Sequence, residues 1–131
     1  MNLRECLQGG LTVSDSLNDT YVEPHGITTP ELAQTSKESK KKNITKYEEN
    51  AIEIVKNSEI YTYNFKSEDD KHKKHIGFVI PDAGGNYKTP EQVIANNGEG
   101  ISNYDMTSIL WKCVQELILE VEKLKGGQVN G

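Results

Sequence analysis

The chain has 131 residues, near the common single-domain size, which sets the expectation of one compact domain with appendages. With 34% hydrophobic residues, 27% charged residues and a net charge of -5, it is poorly supplied for a self-sufficient core, so an oligomer that completes its core between copies is expected. No apolar run approaches the ~20 residues of a membrane span, no secretory leader is expected, and the negative balance argues against general nucleic-acid binding.

Residues 1–35 hold Gly9, Gly10, Pro24, Gly26 and Pro30 among many small polar residues, with apolar pieces only as short as Leu11-Thr12-Val13. This is turn and short-strand chemistry, read as the end of an upstream fibre or a linker. Residues 36–131 are expected to form the domain proper. Thr45 and Glu48 have capping-box spacing, predicting a helix over about 46–57 with Tyr47, Ala51, Ile54 and Val55 as its buried stripe. Ile60 to Phe65 and His75 to Ile80 are β-branched and aromatic, predicting an antiparallel hairpin with a charged tip from Ser67 to Lys74. Thr89-Pro90-Glu91 predicts a short capped helix to about Ala95.

The last predicted helix runs over 104–125 and stops at Gly126-Gly127. Within it Leu110, Val114, Leu117, Val121 and Leu124 follow the 4-3-4-3 spacing of a coiled-coil seam. Trp111 and Ile118 widen that stripe beyond what one partner helix covers, favouring a bundle of three or more chains or a helix packed on its own domain. The fold class expected is therefore α+β, a small hairpin-bearing domain whose C-terminal helix forms a trimeric coiled-coil-like bundle.

The order Ser36, Lys41, Asn43-Ile44, then Tyr61 to Phe65, His75 to Val79, Val93-Ile94 and Trp111-Lys112-x-Val114-Gln115-Glu116-Leu117 resembles the peptidase S74 domain, over about residues 35–125. That resemblance implies an intramolecular chaperone of phage tail spikes, tail fibres and endosialidases. Such domains trimerise through C-terminal helices, assist folding of the upstream fibre of the same polypeptide, and then cut themselves off with a Ser-Lys dyad. The family pattern resembles Ser-Asp-x-Arg-x-Lys-x-Asn-Ile; Ser36, Lys41, Asn43 and Ile44 match it, while Lys37 and Ser39 depart from it. The resemblance implies Ser36 as nucleophile, Lys41 as general base and Thr35–Ser36 as the scissile bond. It also implies host-cell cytoplasm during virion assembly as the location, with release from the mature fibre.

A lysine acts as a base only as the neutral amine, whereas a free one, with pKa ~10.4, is protonated at neutral pH. Neighbouring cations and burial favour the neutral form; Lys37, Lys40 and Lys42 provide the former and a trimer interface could provide the latter. On a straight helix Lys41 would sit about 140° from Ser36, while Lys40 would share its face. Either residues 36–42 are not helical, or Lys41 serves a neighbouring chain, the arrangement favoured on sequence grounds.

Against catalysis stands the plain reading of a polar, lysine-rich segment as a solvated linker. A non-catalytic trimerisation domain and a coiled-coil adaptor are the alternatives. Asp82-Ala83-Gly84-Gly85-Asn86 lacks phosphate-loop spacing and reads as a turn. His72 and His75 could pair on a metal but show no third ligand nearby, His25 stands alone, and Cys6 and Cys113 lack zinc or disulfide spacing. No metal, cofactor, nucleic-acid or membrane partner is expected.

Overall fold

A computed structural model describes residues 10–14, 19–23 and 26–129; Cys6 and His25 lie outside the described residues. The architecture is α+β, with two small antiparallel sheets and one long C-terminal helix. The chain divides into two compact units, Met1–Ile44 and Thr45–Gly131, so Ser36 and Lys41 belong to the first unit.

In that unit β1 (Leu11–Ser14), β2 (Asp19–Glu23) and β3 (Gly26–Thr28) form an antiparallel meander. Its registers pair Val13 with Thr20 and Val22 with Ile27, the short-strand character that the turn-rich composition predicts. None of its described side chains is buried, and backbone hydrogen bonds join the strands.

The second unit begins with an extended segment and then α1 (Ala51–Lys56). The helix predicted over 46–57 is shorter at its start because the cap is Asn50, whose side chain accepts from the Glu53 amide, and not the Thr45/Glu48 pair. Asn50 takes extended backbone angles, which leaves Tyr47 outside the helix. Of the predicted stripe, Ala51 is fully buried and Ile54 and Val55 pack beside it.

The hairpin pairs β4 (Tyr61–Tyr63) with β5 (His75–Gly77), matching Tyr63 to His75. Both strands are shorter than predicted. Beyond Tyr63 the Phe65 amide turns to the Glu68 carboxylate and the Asn64 side chain to the His72 carbonyl, diverting the groups that a longer ladder would use. After Gly77, Phe78 leaves the sheet to pack on the core. The 82–86 stretch is a turn, as its composition suggests: Gly84 has φ +84, and a Cβ at Gly85 would meet Pro81 Cβ at 2.9 Å.

Glu91–Val93 is a single 3-10 turn in place of the helix predicted to Ala95. Thr89 does not cap it but donates its hydroxyl to the Val79 carbonyl. Ile94 then bridges Ile101, which requires an extended chain where the helix was expected. Ser102 accepts from the Asp105 amide at the start of α2 (Asn103–Val129). That helix runs through Gly126-Gly127, contrary to the expected stop. Neither glycine adopts the positive φ that a glycine cap uses.

The core is Ala51, Val93, Ile109 and Cys113, drawn from α1, the 3-10 turn and α2. Met106, Ile109 and Cys113 therefore define the inward face of α2. The seam residues Leu110, Val114, Leu117, Val121 and Leu124 centre roughly 65° around the helix from that face and are all exposed in the single chain.

Candidate functional site

The local backbone decides how Ser36 meets Lys41. Lys37 is extended (φ -65, ψ 141), Glu38–Lys40 form one 3-10 turn, and Lys41 is extended again (φ -122, ψ 156). The amides of Lys40 and Lys41 donate to the Lys37 and Glu38 carbonyls at 3.0 Å each. This kinked path, not a helix, lets Lys41 Nζ donate to Ser36 Oγ of the same chain at 2.7 Å. The helix-geometry objection to Lys41 does not apply, and no neighbouring chain is needed to bring the two groups together. Two residues later Asn43 has φ 55, a left-handed conformation that asparagine adopts more readily than most side chains.

A neutral amine held at that distance can accept the serine proton while the oxygen attacks a carbonyl. The polarity must first reverse, from N–H donating to oxygen to O–H donating to nitrogen. Thr35 to Ile44 are all exposed in the single chain. The isolated chain thus has the contact but lacks the cover that would favour a neutral amine.

In the second unit Glu116 is a polar junction that the sequence reading passed over. Its carboxylate accepts from the amides of Ala51 (3.2 Å) and Ile52 (2.8 Å) at the start of α1, and from Lys112 Nζ at 3.0 Å. Partial burial works to raise this carboxyl, but the hydrogen bonds from Lys112 and the two amides prevail and hold it below its ordinary value. Lys112 also donates to the Glu49 carbonyl and stands 5.6 Å from the centre of the Tyr47 ring. Burial, and then the hydrogen bond to Glu49, push the Tyr47 hydroxyl up to about 12. The signal lay in the Trp111 to Leu117 motif, where Lys112 and Glu116 stand one helical turn apart.

Beside this junction lies an open cleft of about 610 Å³ lined by Lys46, Tyr47, Gln92, Ile109, Trp111 and Lys112. Trp111 is 71% exposed, so it anchors nothing within its own chain. On the hairpin, the fold brings Glu68 between His72 and His75, the third ligand that the sequence reading did not find. The hydrogen bonds from His75 and the Phe65 amide hold the Glu68 carboxyl below its ordinary value.

Residues 36–83 match the Peptidase S74 family model, described as the chaperone of endosialidase. The matched stretch contains Ser36, Lys41, Asn43 and both hairpin strands. No curated protein and no solved structure matches the chain.

Proposed function

Because residues 36–83 match the family model of the S74 chaperone of endosialidase, we propose that this chain is a self-releasing intramolecular chaperone. On this reading it forms the C-terminal end of a phage tail spike, of the kind found as the neck appendage of Bacillus phages. It assembles as a homotrimer through α2, assists folding of the upstream fibre in the host cytoplasm, and cuts itself off once. The observation that carries the reading is the 2.7 Å contact between Lys41 Nζ and Ser36 Oγ inside the matched segment.

The chemistry proposed at Thr35–Ser36 proceeds in two stages. Ser36 Oγ adds to the Thr35 carbonyl carbon while Lys41 takes the hydroxyl proton, and the C–N bond then breaks as Lys41 returns that proton to the departing Ser36 nitrogen. An ester now joins Thr35 to Ser36 Oγ. Water hydrolyses it, leaving a carboxylate on Thr35 and a free amine on Ser36. Exposure of the dyad in the single chain favours a reaction that waits for assembly to exclude water.

The exposed seam supports the trimer. Residues 117–127 of α2 are exposed on every side, and a stretch that short is marginal as a free helix. Pairing Leu117, Val121 and Leu124 between copies would cover that surface. A non-catalytic trimerisation or adaptor domain would use the same seam without producing a cut.

Mass spectrometry of the purified chain distinguishes the two readings. Scission at Thr35–Ser36, abolished by Ser36→Ala and Lys41→Ala but spared by Lys40→Ala, is the expected result. An intact chain that nonetheless sediments as a trimer would leave only the non-catalytic reading. The same-chain contact also implies that mixing Ser36→Ala and Lys41→Ala chains restores no cutting.

A further inference from the structure

We propose that Glu68, His72 and His75 form a zinc-binding site where the β4–β5 ladder opens into its tip. This inference rests on the hairpin alone and stands whether or not the chain cleaves itself. His75 Nε2 lies 3.0 Å from each Glu68 carboxylate oxygen, and His72 Nδ1 lies 3.2 Å from Glu68 Oε2. The three donor groups all fall within 4.8 Å of one another. Zinc bonds of about 2.0–2.1 Å in a tetrahedron place neighbouring ligand atoms about 3.3 Å apart, so the two histidine–Glu68 spacings are already close to those of a bound ion, and His72 Nδ1 would exchange its 2.8 Å contact with the Lys73 carbonyl for the metal.

The donors are also oriented by their surroundings, as metal ligands usually are. The Phe65 amide donates to Glu68 Oε1 at 2.7 Å, fixing the carboxylate. Tyr63 stacks on the His75 ring at 5.5 Å and Phe65 tilts against it at 4.9 Å. His72 stacks on His75 at 5.6 Å, with the two rings 23° from parallel. Two imidazoles and one carboxylate suit zinc and leave a fourth position for water, which the exposure of His72 permits. On binding, each ligating nitrogen must be unprotonated, and a neutral ring meets that need by carrying its proton on the other nitrogen. The ion would then tie the first turn of the tip to the start of β5.

Titration of the untagged full chain with zinc chloride by calorimetry, with thermal melts in parallel, tests the site. One zinc per chain at micromolar affinity is expected, with a raised Tm and no comparable uptake of magnesium or calcium. His72→Ala, at an exposed position, should keep the fold by circular dichroism, weaken zinc by more than about tenfold and lose the Tm shift; Glu68→Gln should do likewise. A wild-type chain that takes up no zinc at micromolar concentration, or a His72→Ala chain that binds as wild type, overturns the proposal.

Discussion

At the residue scale, Asn43 shows how a motif position encodes backbone rather than chemistry. Its φ of 55 follows directly after the segment that carries Lys41, so its conformation sets where the chain goes on leaving the dyad. A β-branched residue is strained there, by roughly 1–2 kcal/mol, whereas glycine is not. Asn43→Gly is expected to cleave as wild type and Asn43→Val more slowly, as read from the fraction of cut chain over time. Tyr47 makes a second residue-scale case. Its folded hydroxyl sits at about 12 against an ordinary 10.0, so the neutral form is favoured on folding. The associated stability is complete below pH 10 and is lost as the pH rises toward 12. Tyr47→Phe should flatten that alkaline decline in melts followed between pH 9 and 12, about the span of the shift.

At the scale of elements, α1 is a six-residue helix, too short to persist by itself. It is held by an outside carboxylate: Glu116 on α2 satisfies the first two amides of α1 while Asn50 satisfies the Glu53 amide. Glu116→Ala should therefore lower Tm more than Glu120→Ala, whose carboxylate pairs, among the described residues, with exposed Lys123. Glu116→Gln should fall between the two. Because folding lowers the Glu116 carboxyl below its ordinary 4.5, the wild-type advantage over Glu116→Gln is full above that value. It should disappear as the pH falls through the lowered one, which paired melts from pH 6 downward would show.

For the whole molecule, the balance between core and seam sets the behaviour. Among the described residues the second unit buries four hydrophobic side chains, so each counts heavily against a total stability of about 5–15 kcal/mol. Ile109→Ala should cost about 2–5 kcal/mol and melt the single-chain fold. Leu117 is 48% exposed in the single chain, so Leu117→Asp should change monomer stability by no more than about 0.5 kcal/mol. In the proposed trimer it would place like charges together in an apolar seam. Sedimentation should then show a folded monomer, and cleavage should fall with assembly if cover for the dyad comes from neighbouring copies. A Leu117→Asp chain that remains trimeric would exclude the seam as the interface.

The residues by themselves determined the α+β class, the hairpin and the long amphipathic helix, because alternation, turn chemistry and heptad spacing are local periodicities. The family pattern likewise pointed to Ser36, Lys41 and Asn43 without any coordinates. Tertiary structure alone decided where α1 begins: Asn50 caps it in place of the expected Thr45, and Glu116 arrives from 65 residues away to take its first amide. It also decided that Glu68 joins His72 and His75, and that Lys41 reaches Ser36 within one chain. Each of these depends on a backbone that leaves the regular periods: an extended entry to α1, a hairpin ladder that opens at Tyr63, and one 3-10 turn between extended residues. Periodicity reports which face a residue occupies inside a regular element, and it is silent where the chain bends between elements, which is where Ser36 meets Lys41 and Glu68 meets His72 and His75.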